Sequence, residues 1–140
     1  MEDGIRRSVN NPIYMFEPVG VVRSSIRTTE AAPRQGSEGA PSAWVELDPR
    51  YEDALFGLTI GDRLIVLTWL HEARRDLLQV HPRDNPAAPL RGVFGTRSAD
   101  RPNPIGLHPV ILLAVEGLRL QVSPLEAIDG TPVLDLKPVI

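Results

Sequence analysis

The stretch VILLAVEGLRLQVS (110–123) limits the possible folds more than any other part of the chain. Two apolar runs meet at Glu116-Gly117, and Leu118, Leu120 and Val122 then alternate with Arg119, Gln121 and Ser123. A period of two around a glycine turn specifies a β-hairpin. Other segments carry the same signature. Tyr14–Ser24, AWVELD (43–48), DRLIVLTWL (62–70), GVFGT (92–96) and VLDLK (133–137) read as strands. Only DPRYEDALFGL (48–58) reads as helical, with Asp48 at the N-cap, Pro49 in the first turn and Gly57 as the stop. Tyr51, Leu55 and Leu58 would share its buried face. About six or seven strands and one short helix imply a mainly β protein. The expected fold is a small β-barrel with long functional loops.

Composition sharpens this picture. A chain of 140 residues fits one domain, expected over 13–140 behind a polar tail at 1–12. Fourteen prolines and eleven glycines fit many turns, and with only 5% aromatics the core must be Leu, Val and Ile. The absence of cysteine excludes disulfides, a thiol nucleophile and thiolate metal sites, and it fits a cytoplasmic protein. His71, His81 and His108 lack metal-ligand spacing, so no metal is expected. No apolar run approaches the ~18 residues of a bilayer span. With a net charge of −3, contact with RNA would need a local basic patch and would be salt-sensitive.

The residues best suited to chemistry lie in loops. SIRTTEAAPRQGSEGAPS (25–42) is long for a compact domain and holds Pro33, Arg34 and Gln35. His71-Glu72 follows the apolar run at 62–70, where the imidazole suits a base or a hydrogen-bonding group. HPRDNPAAPLRG (81–92) is a second irregular loop. TRSADRPNPIGLHP (96–109) joins Arg97, Arg101 and Asn103 to a proline-stiffened backbone, with Gly106 allowing close approach of a ligand. A loop restrained in this way loses little entropy on binding. DGTPVLDLKP (129–138) adds Asp129 at a turn, with Asp135 and Lys137 as a further polar pair. Glycine-rich phosphate loops and nucleophile elbows are missing.

PRQG, LTWLH, GVFGTRSADRPNPIGL and EAIDGTPVLDLKP, in this order, resemble the TsaA-like family, also called YaeB or TrmO, from about Phe16 to Pro138. The resemblance implies a homodimeric β-barrel methyltransferase that uses S-adenosylmethionine and holds it near the subunit interface. The implied acceptor is the N6 nitrogen of threonylcarbamoyladenosine beside the anticodon of threonine tRNA. Carried over by motif, the donor would contact Pro33, Arg34, Gln35, His71, Glu72, Arg97, Leu107, Glu126, Ala127, Ile128 and Asp129. Arg101, Asn103, Asp135 and Lys137 would serve the acceptor, and Asp129 or His71 the proton. Arg97 is expected close to the donor and Arg101 out on the loop surface. The chain has Glu126 where the family pattern has Asp, and His108 where it has a small hydroxyl residue. Val139 stands in place of its Tyr.

Two other readings remain. One is a methyltransferase acting on a small molecule, and the other is a non-catalytic module that binds the donor. A tRNA enzyme would show a basic patch beside the donor, built from Arg74, Arg75, Arg83, Arg91 and Arg101.

Overall fold

The computed structural model describes residues 12–28, 31–33 and 39–140, so Arg34 and Gln35 lie outside the described residues. The described residues form eight strands: β1 (Gly20–Arg23), β2 (Ala43–Leu47), β3 (Arg63–Trp69), β4 (Gln79–Val80), β5 (Arg91–Gly92), β6 (Ile105–Glu116), β7 (Arg119–Ser123) and β8 (Pro132–Pro138). Six of them close a barrel in the order β1-β2-β7-β6-β3-β8, and β8 pairs back onto β1. All barrel pairs are antiparallel. The other two, β4 and β5, form a small ribbon within the β3–β6 connection.

Alternation decides which side chains enter the barrel. Leu64 and Val66 of β3, Val110 and Leu112 of β6, and Leu120 and Val122 of β7 point inward. They meet Val22, Val45, Leu125 and Val133 in a core that, among the described residues, contains no aromatic ring. The expected aliphatic core is therefore present, although valine and leucine dominate and isoleucine does not enter the cluster.

Four local expectations change. Pairing of the first strand begins at Gly20 and not at Tyr14, because Pro18 offers no N–H and the first ladder bond comes from the Val19 N–H to Val133 O. The expected helix is a seven-residue 3-10 segment, Pro49–Leu55, interrupted at Tyr51. Asp48 caps it as expected by accepting from the Arg50 N–H, and that bond holds the Asp48 carboxyl below its ordinary range. GVFGT is strand only at its first residue. Val93–Gly95 forms a 3-10 turn, because the Val93 carbonyl collects the Thr96 N–H, the Thr96 hydroxyl and Arg101. The hairpin turn falls at Gly117-Leu118, one residue later than expected, with Glu116 paired to Arg119 and Gly117 at φ +61°.

The proline-rich stretch is also less of a loop than its composition suggests. Irregular backbone ends at Pro104, and Ile105–Pro109 already belong to β6. Pro109 is tolerated there because β7 joins β6 only from Ile111 onward, so the strand is an edge on that side up to that point.

Candidate active site

The strand directions bring the candidate loops to one end of the barrel. β1 and β2 are joined there by 24–42, β3 and β6 by 70–104, and β7 and β8 by 124–131. These three connections contain most of the residues singled out in the sequence. The opposite end carries the 3-10 segment, the β6–β7 turn and a cleft of about 600 Å³ lined by Leu55, Leu58, Leu64, Leu136 and Pro138 among others.

Parts of the β3–β6 connection are laced together. Leu70 N–H donates to Pro104 O at 2.8 Å, Arg74 N–H to Asp100 Oδ1 at 2.8 Å, and Arg101 N–H to Arg74 O at 3.0 Å. Arg75 stacks over the Trp69 ring at 5.0 Å and donates to Pro102 O and Asn103 Oδ1 at 2.7 and 3.0 Å. Asn103 is thus fixed through its oxygen, which leaves its amide N–H groups as donors.

Arg101 does not lie out on the loop surface as expected. Arg101 is half-buried, and its guanidinium donates to the carbonyls of Val93, Thr96 and Ser98 at 2.8, 3.1 and 2.9 Å. Arg97 is exposed and makes no hydrogen bond or ion pair among the described residues. Five donors in a planar fork suit Arg101 to gathering several carbonyls, a task the sequence alone did not assign to it.

His71 and Glu72 are exposed at the end of β3, with Nε2 and Oε2 3.9 Å apart. Asp129 is more committed. Its Oδ1 accepts from the Ser24 N–H at 3.0 Å, and its Oδ2 from Arg27 at 3.0 Å. Ala127 and Ile128 turn their side chains into the protein, so only their backbone faces the loops. Pro33 is half-buried. Leu107 lies on the outer wall of β6, opposite Leu67.

Asp135 and Lys137 are placed apart from these residues. They pair with each other at 3.4 Å on the exposed outer side of β8, in register with Leu67 and Ile65, and border the cleft at the opposite end. Alternation on a strand had already allowed this arrangement.

Sequence reasoning missed a polar network inside the barrel. Thr68 is fully buried, and its hydroxyl lies 2.7 Å from His108 Nε2. On the other side of the ring, Nδ1 meets Glu126 Oε1 in a very close hydrogen bond. Gly106 completes the slot. A Cβ at that position would lie 2.6 Å from His108 Nε2 and closer still to the Thr68 hydroxyl.

Few of the cations needed for a basic patch remain available. Arg74 donates to both oxygens of Asp76 at 3.1 and 2.9 Å, and these bonds hold the Asp76 carboxyl below its ordinary range. Arg75 and Arg101 are bonded internally, whereas Arg91 is exposed.

The fold is shared with solved TrmO structures. A TrmO crystal structure from Pseudomonas aeruginosa superposes with a TM-score of 0.75 at 34% identity, over 95% of this chain and 57% of that one. This chain therefore spans little more than half of that protein. The description "tRNA-methyltransferase O N-terminal domain" names the family whose model matches residues 21–140, and the chain belongs to this family. A protein of Methanothermobacter thermautotrophicus described as a probable S-adenosyl-L-methionine-binding protein is 46% identical over 123 residues, which cover 88% of each chain. An S-adenosyl-L-methionine-binding protein of Archaeoglobus fulgidus is 43% identical, over 88% of this chain and 87% of its own.

Proposed function

We propose that this chain is an S-adenosylmethionine-dependent methyltransferase that methylates N6 of threonylcarbamoyladenosine in threonine tRNA in the cytoplasm. The observation that carries this reading is the convergence at one barrel end of the loops bearing His71, Arg97 and Glu126–Asp129. The relatives described as S-adenosylmethionine-binding proteins support the donor.

Transfer breaks the bond between the sulfonium sulfur and its methyl group and forms an N6–CH3 bond, leaving a neutral thioether. The N6 proton must go to a base. His71 suits this step better than Asp129, because its imidazole is exposed while both Asp129 oxygens already accept hydrogen bonds. The rigid loops supply the in-line positioning that this reaction depends on.

The scarcity of free cations near the loops among the described residues favours a second reading, a small-molecule acceptor, and incubation with methyl-labelled donor separates the two. The tRNA reading expects label in tRNA carrying the threonylcarbamoyl group and none in tRNA lacking it. Label in neither tRNA, with donor binding intact, would overturn that acceptor and leave the small-molecule enzyme or the binding module.

The outer row of β6 supports a homodimer. Ile105, Leu107, Pro109, Ile111, Leu113 and Val115 are all exposed and all apolar along one strand. Such a continuous row marks an interaction surface. Leu107, assigned to the donor by motif, lies within it, which fits a site near the interface. Light scattering should give twice the monomer mass, and Ile111→Glu should shift it to the monomer. A monomeric mass for the unmodified protein at micromolar concentration would refute the dimer.

A further inference from the structure

The network Thr68–His108–Glu126 is out of place in a core of valine and leucine. A polar group in such a core costs free energy unless every member is satisfied, and apolar residues of the same shape are often no less stable. Stability alone is therefore a weak reason for this network. Its position suggests a different one. Thr68 lies near the end of β3, His108 near the start of β6, and Glu126 in the β7–β8 connection, all at the end where the loops converge.

The hydrogen positions follow from the partners. A carboxylate only accepts, so His108 Nδ1 carries the proton directed at Glu126 Oε1. The Thr68 hydroxyl can then donate to Nε2, and each group in the chain is satisfied. The ring is held from both sides and cannot rotate without breaking a bond. Its slot exists because Gly106 has no side chain. At 3% exposure His108 is sealed from the loops. Glu126 is not sealed, because 14% of its side chain is exposed and Oε2 accepts from no described residue.

We propose that His108 is a positioning residue for the donor: from inside the barrel it fixes the Glu126 carboxylate, so that Oε2 accepts an N–H or O–H of the bound donor. The inference rests on the donor reading above and adds a route by which a buried side chain controls it. Thr68 sets the ring orientation, and Glu126 makes the contact. Through Glu126 the network also ties the 124–129 segment to β6.

Two substitutions separate the two bonds of the ring. In His108→Asn the amide nitrogen takes the place of Nδ1 and keeps the bond to Glu126. In His108→Gln the amide oxygen takes the place of Nε2, accepting from the Thr68 hydroxyl and abandoning Glu126. Each loses one buried bond, so melting temperatures should fall by similar amounts. S-adenosylmethionine affinity, measured by calorimetry, should not follow the melting temperatures. It should stay within about threefold of the unmodified protein for His108→Asn and fall at least about tenfold for His108→Gln, the scale of one unpaired buried group. Amide exchange of residues 125–128, measured without donor, should quicken in His108→Gln only. Equal loss of affinity and equal exchange in the two variants would overturn the proposal and reduce the network to a structural one. If the unmodified protein bound no donor, the donor reading would fail. The exchange rates would still decide whether His108 holds Glu126.

Discussion

Gly106→Ala is expected to lower the stability of the protein by about 1–3 kcal/mol, the range for overpacking a filled site. The added methyl group would occupy space already taken by the Thr68 hydroxyl and the His108 ring. Neither side can yield easily. Thr68 is fully buried on β3, and the ring is bonded at both nitrogens. In a chain of this size the loss corresponds to a fall in melting temperature of several degrees, roughly 3–10 °C. Moving the ring would also displace Glu126, so donor affinity should fall with stability. Gly92→Ala is the control, since a Cβ there meets nothing nearer than Leu78 O at 4.0 Å and the backbone is extended at φ −62°. Its effect should be small or slightly stabilising. Thermal denaturation of the two variants checks this directly, and equal melting temperatures would show that the slot at Gly106 is not tight.

Arg101→Ala should be the more damaging of the two loop-arginine substitutions. Three carbonyls lose a charged donor at once, and the turn at Val93–Gly95 and the following residues lose their common brace. Hydrogen bonds to charged groups contribute about 1.5–3 kcal/mol each, less where water reaches them. The loop that carries Arg97 would loosen, and donor affinity should fall at least about tenfold, on the scale of one such bond. Arg101→Lys should rescue it poorly, because one ammonium cannot span three carbonyls as a planar fork does. Arg97→Ala removes a side chain without partners among the described residues, so stability and donor affinity should barely change. Its effect should appear as a raised Michaelis constant for tRNA, most pronounced at low salt, with the log–log salt slope smaller by about one. Equal losses of donor affinity in the two alanine variants would show that both arginines act on the donor. An unchanged Michaelis constant in Arg97→Ala would remove that residue from the acceptor site.

This pair shows where sequence reading reaches its limit. Periodicity made most of the barrel legible. Ala43–Leu47, Arg63–Trp69 and the strands of the hairpin follow from alternation, because the side-chain period of a strand is a local property. The gathering of three loops at one end follows from antiparallel order once the strands are known. Side-chain partners are different. Arg101 turns inward because Val93, Thr96 and Ser98 present their carbonyls to it, and that depends on a 3-10 turn whose residues read as strand. Asp135 and Lys137 were grouped with the loops by nearness in sequence, but three strand residues separate Asp135 from the end of the β7–β8 connection.

Thr68 could have been found, and the inward placement of His108, already singled out as a departure from the family pattern, could have been read with it. Thr68 has the parity of Leu64 and Val66, and His108 that of Gly106, Val110 and Leu112. A polar residue on the inward parity of an apolar strand needs a buried partner. Identifying Glu126 as that partner needed the closed barrel, since 18 residues separate it from His108.

The central claim is that the donor binds at the end of the barrel where the three loops meet. Amide exchange of the whole protein with and without saturating S-adenosylmethionine tests it most directly. Protection is expected at 70–72, 96–107 and 124–131, with no change around the cleft formed by Leu55, Leu58 and Leu136 at the opposite end. Protection confined to that cleft, with these three segments unchanged, would contradict the account.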